Sequence, residues 1–369
     1  MTDSSVKQDF RLSSKTIKRG IQAFILFTII GTGIVVWWKT PHNIRALISD
    51  FDWRFLVLLI PLIALDYFLG GFRYLIYYNG KILLHVSLWN CMRANLANMF
   101  LGAITPFQTG GVAAQLYIFW RSGAKISDSM LVALINFCST LVFFLIASLA
   151  ALFILPPTVF HSEVMTVIRG SFIVVVSIVS VVLLIMTHPA AGTRIIRFIF
   201  HLLPFRLLKL ENLRNRFLAT LTDKIQQFDL NFTRIRRHNK GTLVLTLAIT
   251  SALFFNKYVI GFVITRALGQ IVPFGTFIGL QIINFFIIYF SPTPGASGIA
   301  ELSSTWLMER VMSAEILFYF AVLWRFFTIF LGAFFGGIIL LSDLNAAVKN
   351  NLLKQSPDQS GYYEIRHND

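Results

Sequence analysis

Helix-breaking and ionisable residues inside otherwise apolar stretches are where this sequence could do chemistry. The stretch 291–302 reads S-P-T-P-G-A-S-G-I-A-E-L. Pro292, Pro294, Gly295 and Gly298, with Thr293 among them, interrupt any helix, because proline lacks the amide donor and glycine costs backbone entropy. A helix restarting near Gly298 or Ile299 presents free N–H groups and the positive end of its dipole, a setting that suits a phosphate or carboxylate. The stretch 101–111, L-G-A-I-T-P-F-Q-T-G-G, offers a second break through Thr105, Pro106, Gln108, Thr109, Gly110 and Gly111, with a helix expected to restart near Gly111. An anion held between two such helix ends is the chemistry this pattern allows. With Gly298 as the cap, Glu301 takes the third helical position and can close the helix end. Gln115 would do the same after the first break. A carboxylate inside a membrane is also costly enough to mark a functional site, so both roles stand for Glu301.

Four more ionisable residues lie within apolar runs: Asp66, Arg73, Lys257 and Arg325. Asp66 and Arg73, seven residues apart, share one helix face two turns apart. Snorkelling or a bundle-holding ion pair accounts for such residues structurally, Lys257 above all. Arg73 and Arg325 suit a phosphate better, since a guanidinium gives bidentate hydrogen bonds. Arg73 lies near the end of its run, where snorkelling competes, and Arg325 near the middle of its own. Asn95, Asn98, Gln281 and Asn284 bring amides onto the approaches to the breaks, for substrate contact or for hydrogen bonds between helices. Gly332 and Gly336 form a GxxxG step that reads as helix packing. The seven histidines show no paired-ligand spacing, so neither metal nor cofactor is expected. Cys91 and Cys138 read as small core residues.

Positioning these residues requires spanning helices. Of the 369 residues 56% are hydrophobic and only 13% charged, with a mean hydropathy of +0.70. That balance excludes a soluble fold, whose exterior needs polar cover, and the continuous apolar runs exclude a β-barrel. Six segments approach or reach spanning length: 21–38, 55–78, 130–155, 170–187, 242–265 and 316–341. The first is read as an uncleaved span, since no small-residue cleavage signal follows it. The regions 89–120 and 274–308, cut by the two breaks, read as helix-break-helix hairpins that enter the membrane and return on the same side. Such backbone is tolerated only inside protein or beside a wet cavity. The predicted fold is thus an all-α polytopic membrane protein of six transmembrane helices plus two re-entrant broken-helix hairpins.

The net charge is +15. Its distribution reads as topology and not as nucleic-acid binding. With the N-terminus inside, the cytoplasmic pieces hold 23 Lys and Arg against 6 outside, which predicts both termini in the cytoplasm. The organisation expected is a cytoplasmic N-terminal segment 1–20, a membrane domain 21–345 and a cytoplasmic tail 346–369. Segment 188–240 reads as an amphipathic helix whose basic residues set topology or meet anionic lipid head groups at the cytoplasmic surface.

The two broken regions match at an offset of 186 residues. Asn98 aligns with Asn284, Phe100 with Phe286, Thr105 with Ser291, Pro106 with Pro292 and Gln115 with Glu301. The flanking spans follow the same offset, giving repeats 55–155 and 241–341. Three crossings separate matching elements, so the copies point in opposite directions. Inverted repeats with discontinuous helices are a transporter signature, with the substrate site near the midplane.

The strings T-P-F-Q-T-G-G at 105–111 and T-P-G-A-S-G-I-A-E at 293–301 resemble the lysylphosphatidylglycerol synthase transmembrane region family of flippase-like integral membrane proteins, over about 20–345. Arg73 sits where that family tends to carry an arginine. The best-known members fuse this domain to a synthase that aminoacylates phosphatidylglycerol, and the membrane part moves the product to the outer leaflet. The chain length leaves no room for that synthase, so a stand-alone member is expected. The resemblance implies a translocase for a polar phospholipid or lipid-linked head group, not an enzyme, in the plasma membrane, with the bacterial inner membrane as the natural setting. The alternatives are a membrane-embedded transferase or hydrolase using Glu301 with Asp66, and a non-catalytic partner of a separate lipid synthase.

Overall fold

The computed structural model describes residues 51–155 and 240–355, with scattered helical positions between 19 and 34, between 170 and 180, and at 194. All the longer elements among the described residues are helices: α1 (Trp53–Leu75), α2 (Leu88–Ala103), α3 (Thr109–Arg121), α4 (Ile126–Ile154), α5 (Lys240–Ala267), α6 (Phe274–Tyr289), α7 (Ile299–Met308), α8 (Ala314–Arg325) and α9 (Leu331–Gln355). Short 3-10 turns, Pro106–Gln108 and Pro294–Ala296, join α2 to α3 and α6 to α7. A π-helical turn, Phe326–Phe330, carries α8 into α9 without interruption. Among the described residues four helices are long and apolar enough to cross a membrane: α1, α4, α5 and the continuous α8–α9. At 16 residues each, α2 and α6 are short for a crossing. The predicted spans 21–38 and 170–187, the segments 1–20 and 188–240 and most of the tail lie largely outside the described residues.

Local chemistry sets the helix ends. Asp52 caps α1 by accepting from the Arg54 N–H at 3.0 Å. Ser87 caps α2 through Asn90. Hydropathy carries the predicted span 55–78 on to Tyr78, but α1 stops at Leu75. Tyr77 and Tyr78 then turn inward and are fully buried. Their hydroxyls bond Thr246 at 2.6 Å and Ser129 at 2.7 Å, tying this loop to α5 and α4. At the other end α9 runs past 345 to Gln355, because no proline or glycine lies between Gly337 and Gln355 to stop it.

The packing has the pattern of two copies related by a two-fold rotation. With α1–α4 as one copy and α5–α9 as the other, α1 packs on α5, and the two 3-10 turns pack on each other. Both pairings survive exchange of the copies. The α2–α9 and α4–α6 pairings exchange into one another. The helices are thus interleaved across the repeats. Aromatic contacts such as Phe143 on Phe254, with ring centroids 5.0 Å apart, knit them together.

The register differs from the single offset read in the sequence. Helices α2 and α6 are related by 186 residues, but the two turns are related by 188. Thr105 and Pro106 therefore correspond to Thr293 and Pro294, and not to Ser291 and Pro292. The second copy holds two extra residues before its turn. The physical reason is that the backbone turn, and not the first proline met, defines the equivalence.

Candidate functional site

The two turns have the same unusual backbone. Phe107 and Gln108 lie at φ 51° and 55°, Gly295 and Ala296 at φ 55° and 57°. Phe107, Gln108 and Ala296 are the non-glycine residues with positive φ among the described residues. L-residues pay about 1–2 kcal/mol each for this conformation, and strain of this kind concentrates at functional sites. Thr105 supports the first turn: its hydroxyl donates to Leu101 O at 2.6 Å and accepts from the Gly110 N–H at 2.9 Å. The Thr109 hydroxyl donates to Pro106 O at 3.0 Å. Gly111 has to be glycine, because a Cβ there would lie 2.8 Å from Asn98 O on the facing helix.

The second turn is buried where the first is exposed. Pro294, Gly295, Ala296 and Ser297 are buried, Thr293 is half-buried and Pro292 is exposed; Pro106, Gln108 and Thr109 are exposed. Thr293 shares a 3.0 Å hydroxyl contact with Ser291. Helix α7 begins at Ile299 with Gly298 as its cap, and Glu301 Oε2 accepts from the Gly298 N–H at 2.6 Å. The other oxygen, Oε1, accepts from Arg325 Nε at 3.1 Å. Glu301 thus fills the capping role and an ion pair together. Arg325 Nη2 also donates to Gly295 O at 2.9 Å and Ser297 Oγ at 3.2 Å. The guanidinium lies over the Phe330 ring at 5.4 Å. Side-chain exposures of 1% and 4% place this pair out of reach of solvent screening. Arg325 Nη1 has no partner, so one strong donor is left over beside the turn.

Gln115 does not cap α3, contrary to the expectation by analogy with Glu301. That helix begins at Thr109, earlier than Gly111, so Gln115 falls in its second turn. Its Oε1 accepts from Tyr74 Oη at 2.9 Å and Asn98 Nδ2 at 3.2 Å. The 188-residue register explains this. The counterpart of Gln115 is Ser303, which donates to Asn284 Oδ1 at 2.7 Å. Each copy therefore ties its outgoing helix to its returning helix through an asparagine, and the Glu301–Arg325 pair belongs to the second copy alone.

Asp66 stands apart from this assembly. Its Oδ2 accepts from Lys257 Nζ at 2.7 Å, joining α1 to α5. Breaking such a pair from one side strands a charge and costs about 3–5 kcal/mol, whereas removing both charges is often neutral. The D66N variant should therefore melt well below the unaltered protein in detergent, and D66N/K257M should recover most of the loss. Equal melting of D66N and the unaltered protein would show the pair to be structurally idle. Arg73 is also separate, donating from Nη2 to Asn136 O at 2.8 Å and Thr140 Oγ1 at 3.2 Å.

Several participants carried no sequence signal. Ser297 accepts both from Arg325 and from Thr28, one of the helical positions before α1, the latter at 2.9 Å. A serine among small residues is silent until the fold surrounds it. The π-turn after Arg325 is equally invisible in hydropathy, although such turns recur at functional sites.

Comparison with known proteins adds an independent line. The family described as lysylphosphatidylglycerol synthase TM region matches residues 23–336. A UPF0104 membrane protein of Archaeoglobus fulgidus is 24% identical over 350 residues, covering 89% of this chain and 99% of the relative. A UPF0104 membrane protein of Pyrococcus horikoshii is 22% identical over 353 residues, covering 88% of this chain and 99% of the relative.

Proposed function

The chain belongs to the lysylphosphatidylglycerol synthase TM region family, and on that premise we propose that this multi-pass membrane protein moves a polar lipid head group between leaflets. The observation that carries the reading is the contact between the two strained turns, with the Arg325–Glu301 pair at the second of them. Non-helical backbone inside a bilayer needs a protein-lined or wet surrounding, and a travelling phosphate head group needs the same surrounding. The lipid tails stay in the bilayer while the head passes the turns. Two copies in opposite directions provide an opening toward each leaflet. Thr105, Gln108, Thr109 and Gly110 line the approach from the exposed first turn, and the spare Arg325 donor meets the phosphate at the second.

The placement of the carboxylates favours transport over lipid-linked catalysis. Asp66 and Glu301 are each ion-paired to their own cation, Lys257 and Arg325. A general acid and base would need a carboxylate free to exchange a proton.

The decisive measurement is movement of fluorescent phosphatidylglycerol in proteoliposomes, read by a quencher that cannot cross the bilayer. The quenchable fraction should rise from the outer-leaflet share toward completion. Phosphatidylcholine and a polyprenyl-linked sugar run in parallel should separate head-group classes. Traces for every lipid that overlie those of protein-free vesicles would overturn the reading.

A further inference from the structure

Three cations of the membrane-capable helices reach into the bundle, and they are not equally compensated. Lys257 has Asp66 and Arg325 has Glu301. Arg73 has no carboxylate within reach among the described residues. Its partners are the Asn136 carbonyl, at 2.8 Å, and the Thr140 hydroxyl, at 3.2 Å. That carbonyl already accepts from the Thr140 hydroxyl at 2.9 Å. Neutral dipoles shared in this way leave a whole positive charge standing inside α1 and α4.

The polar groups around Arg73 are unsatisfied as well. Arg73 Nε is buried without a partner, and so are Asn136 Nδ2 and Oδ1. Asn136 is 6% exposed and Thr140 4% exposed. Tyr289, which ends α6 just before the second turn, faces Arg73 and Thr140 across the repeat interface. Next to Arg73 in the chain, Tyr74 leads to Gln115, whose Nε2 also lacks a partner. Buried donors are normally bonded, and a charge inside a membrane protein is normally paired. The shortage here is of one acceptor with negative charge. Snorkelling does not relieve it, because Nη2 is committed to α4.

We propose that Arg73, Asn136, Thr140 and Tyr289 form a second anion station, distinct from the Arg325–Glu301 turn, that binds a phosphate oxyanion. The anion would accept from the donors that the fold leaves open, Arg73 Nε and Asn136 Nδ2. The guanidinium offers it charge, and the Asn136 amide and the Tyr289 hydroxyl offer it donors, while Thr140, whose proton goes to Asn136 O, holds the guanidinium in place. It is the phosphodiester of a lipid head group or a free phosphate. The proposal rests on the translocation reading only for the lipid as source. In that setting a head group passes between two stations of different character: Arg73 without a counter-ion, and Arg325 already neutralised.

The test uses the full chain purified in detergent, with thermal stabilisation titrated against three probes: dihexanoylphosphatidylglycerol, inorganic phosphate and phosphate-free dihexanoylglycerol. The phospholipid should stabilise the protein and the diacylglycerol should not. R73Q should weaken the phospholipid about 10- to 100-fold, the loss of one or two charge-assisted hydrogen bonds. R73K should weaken it less, and N136A should weaken it without removing the charge. Stabilisation by inorganic phosphate alone, lost in R73Q, assigns the station to free phosphate. No stabilisation of the unaltered protein by either phosphate compound, or affinity in R73Q and N136A equal to that of the unaltered protein, overturns the station. If R73Q does not fold, R73K and N136A decide by the same criterion. Arg73-dependent binding without lipid movement in vesicles sinks the proposed function and leaves the station. Lipid movement with Arg73-independent binding does the reverse.

Discussion

Replacing Glu301 by Gln should abolish lipid movement and also lower stability by about 3–5 kcal/mol, the cost of stranding a buried charge. Gln keeps the shape and can still accept from the Gly298 N–H, so the helix cap survives. What it loses is the negative charge 3.1 Å from Arg325 Nε. A guanidinium cannot shed its charge, so E301Q leaves a cation with 1% side-chain exposure and only dipoles around it. The opposite change, R325Q, leaves a carboxylate that can take up a proton and become neutral, and its stability loss should be the smaller of the two. The double variant E301Q/R325Q should melt close to the unaltered protein while still failing to move lipid. Thermal melting separates the structural share of the pair from its share in transport. A double variant that moves lipid normally would reduce the pair to a fold-holding element, and the two strained turns alone would then carry the functional reading.

The G336A variant should fail to accumulate as folded protein, while G332A should fold. Both glycines lie on α9 where it crosses α2, but what a Cβ would meet differs. At Gly336 it would lie 1.9 Å from Leu96 O and 2.5 Å from Leu96 C, atoms of the α2 backbone. At Gly332 it would meet the end of Met99, 2.3 Å from Cε, a flexible side chain that can swing aside. Overpacking costs about 1–3 kcal/mol where side chains can adjust. Backbone cannot adjust without moving α2, which carries Asn98 and leads into the first turn. Size-exclusion profiles and melting of the two variants check this. Equal behaviour of G336A and G332A would mean that α2 and α9 do not approach so closely. The lipid-facing alternative, in which small residues merely sit at the bilayer surface, predicts no difference between them.

A good part of this architecture is written into the chain. Hydropathy places α1, α4, α5 and α8–α9, because a bilayer tolerates only long apolar helices with all backbone groups bonded. Proline and glycine locate both turns, since both residue types disrupt helices wherever they fall. The Gly298–Glu301 spacing indicates the cap, since capping is local chemistry. The isolated ionisable residues Asp66, Arg73, Lys257, Glu301 and Arg325 announce themselves because charge is rare in such runs.

Which of these charges meet was decided only by the tertiary structure. Asp66 shares a helix face with Arg73, yet it pairs with Lys257 from a helix 191 positions away, because a buried charge takes the partner that packing brings near. Arg325, the residue before a π-turn that no periodicity signals, reaches Glu301 across 24 residues. The register of the repeat also shifts, from 186 to 188, at the turns themselves. Sequence matching aligned prolines, whereas the equivalence lies in backbone dihedral angles at Phe107, Gln108, Gly295 and Ala296. Local chemistry is fixed by neighbours in the chain and can be read there. The pairing of charges, the uncompensated state of Arg73 and the meeting of the two turns depend on which helix faces are pressed together, and that is a property of the whole bundle.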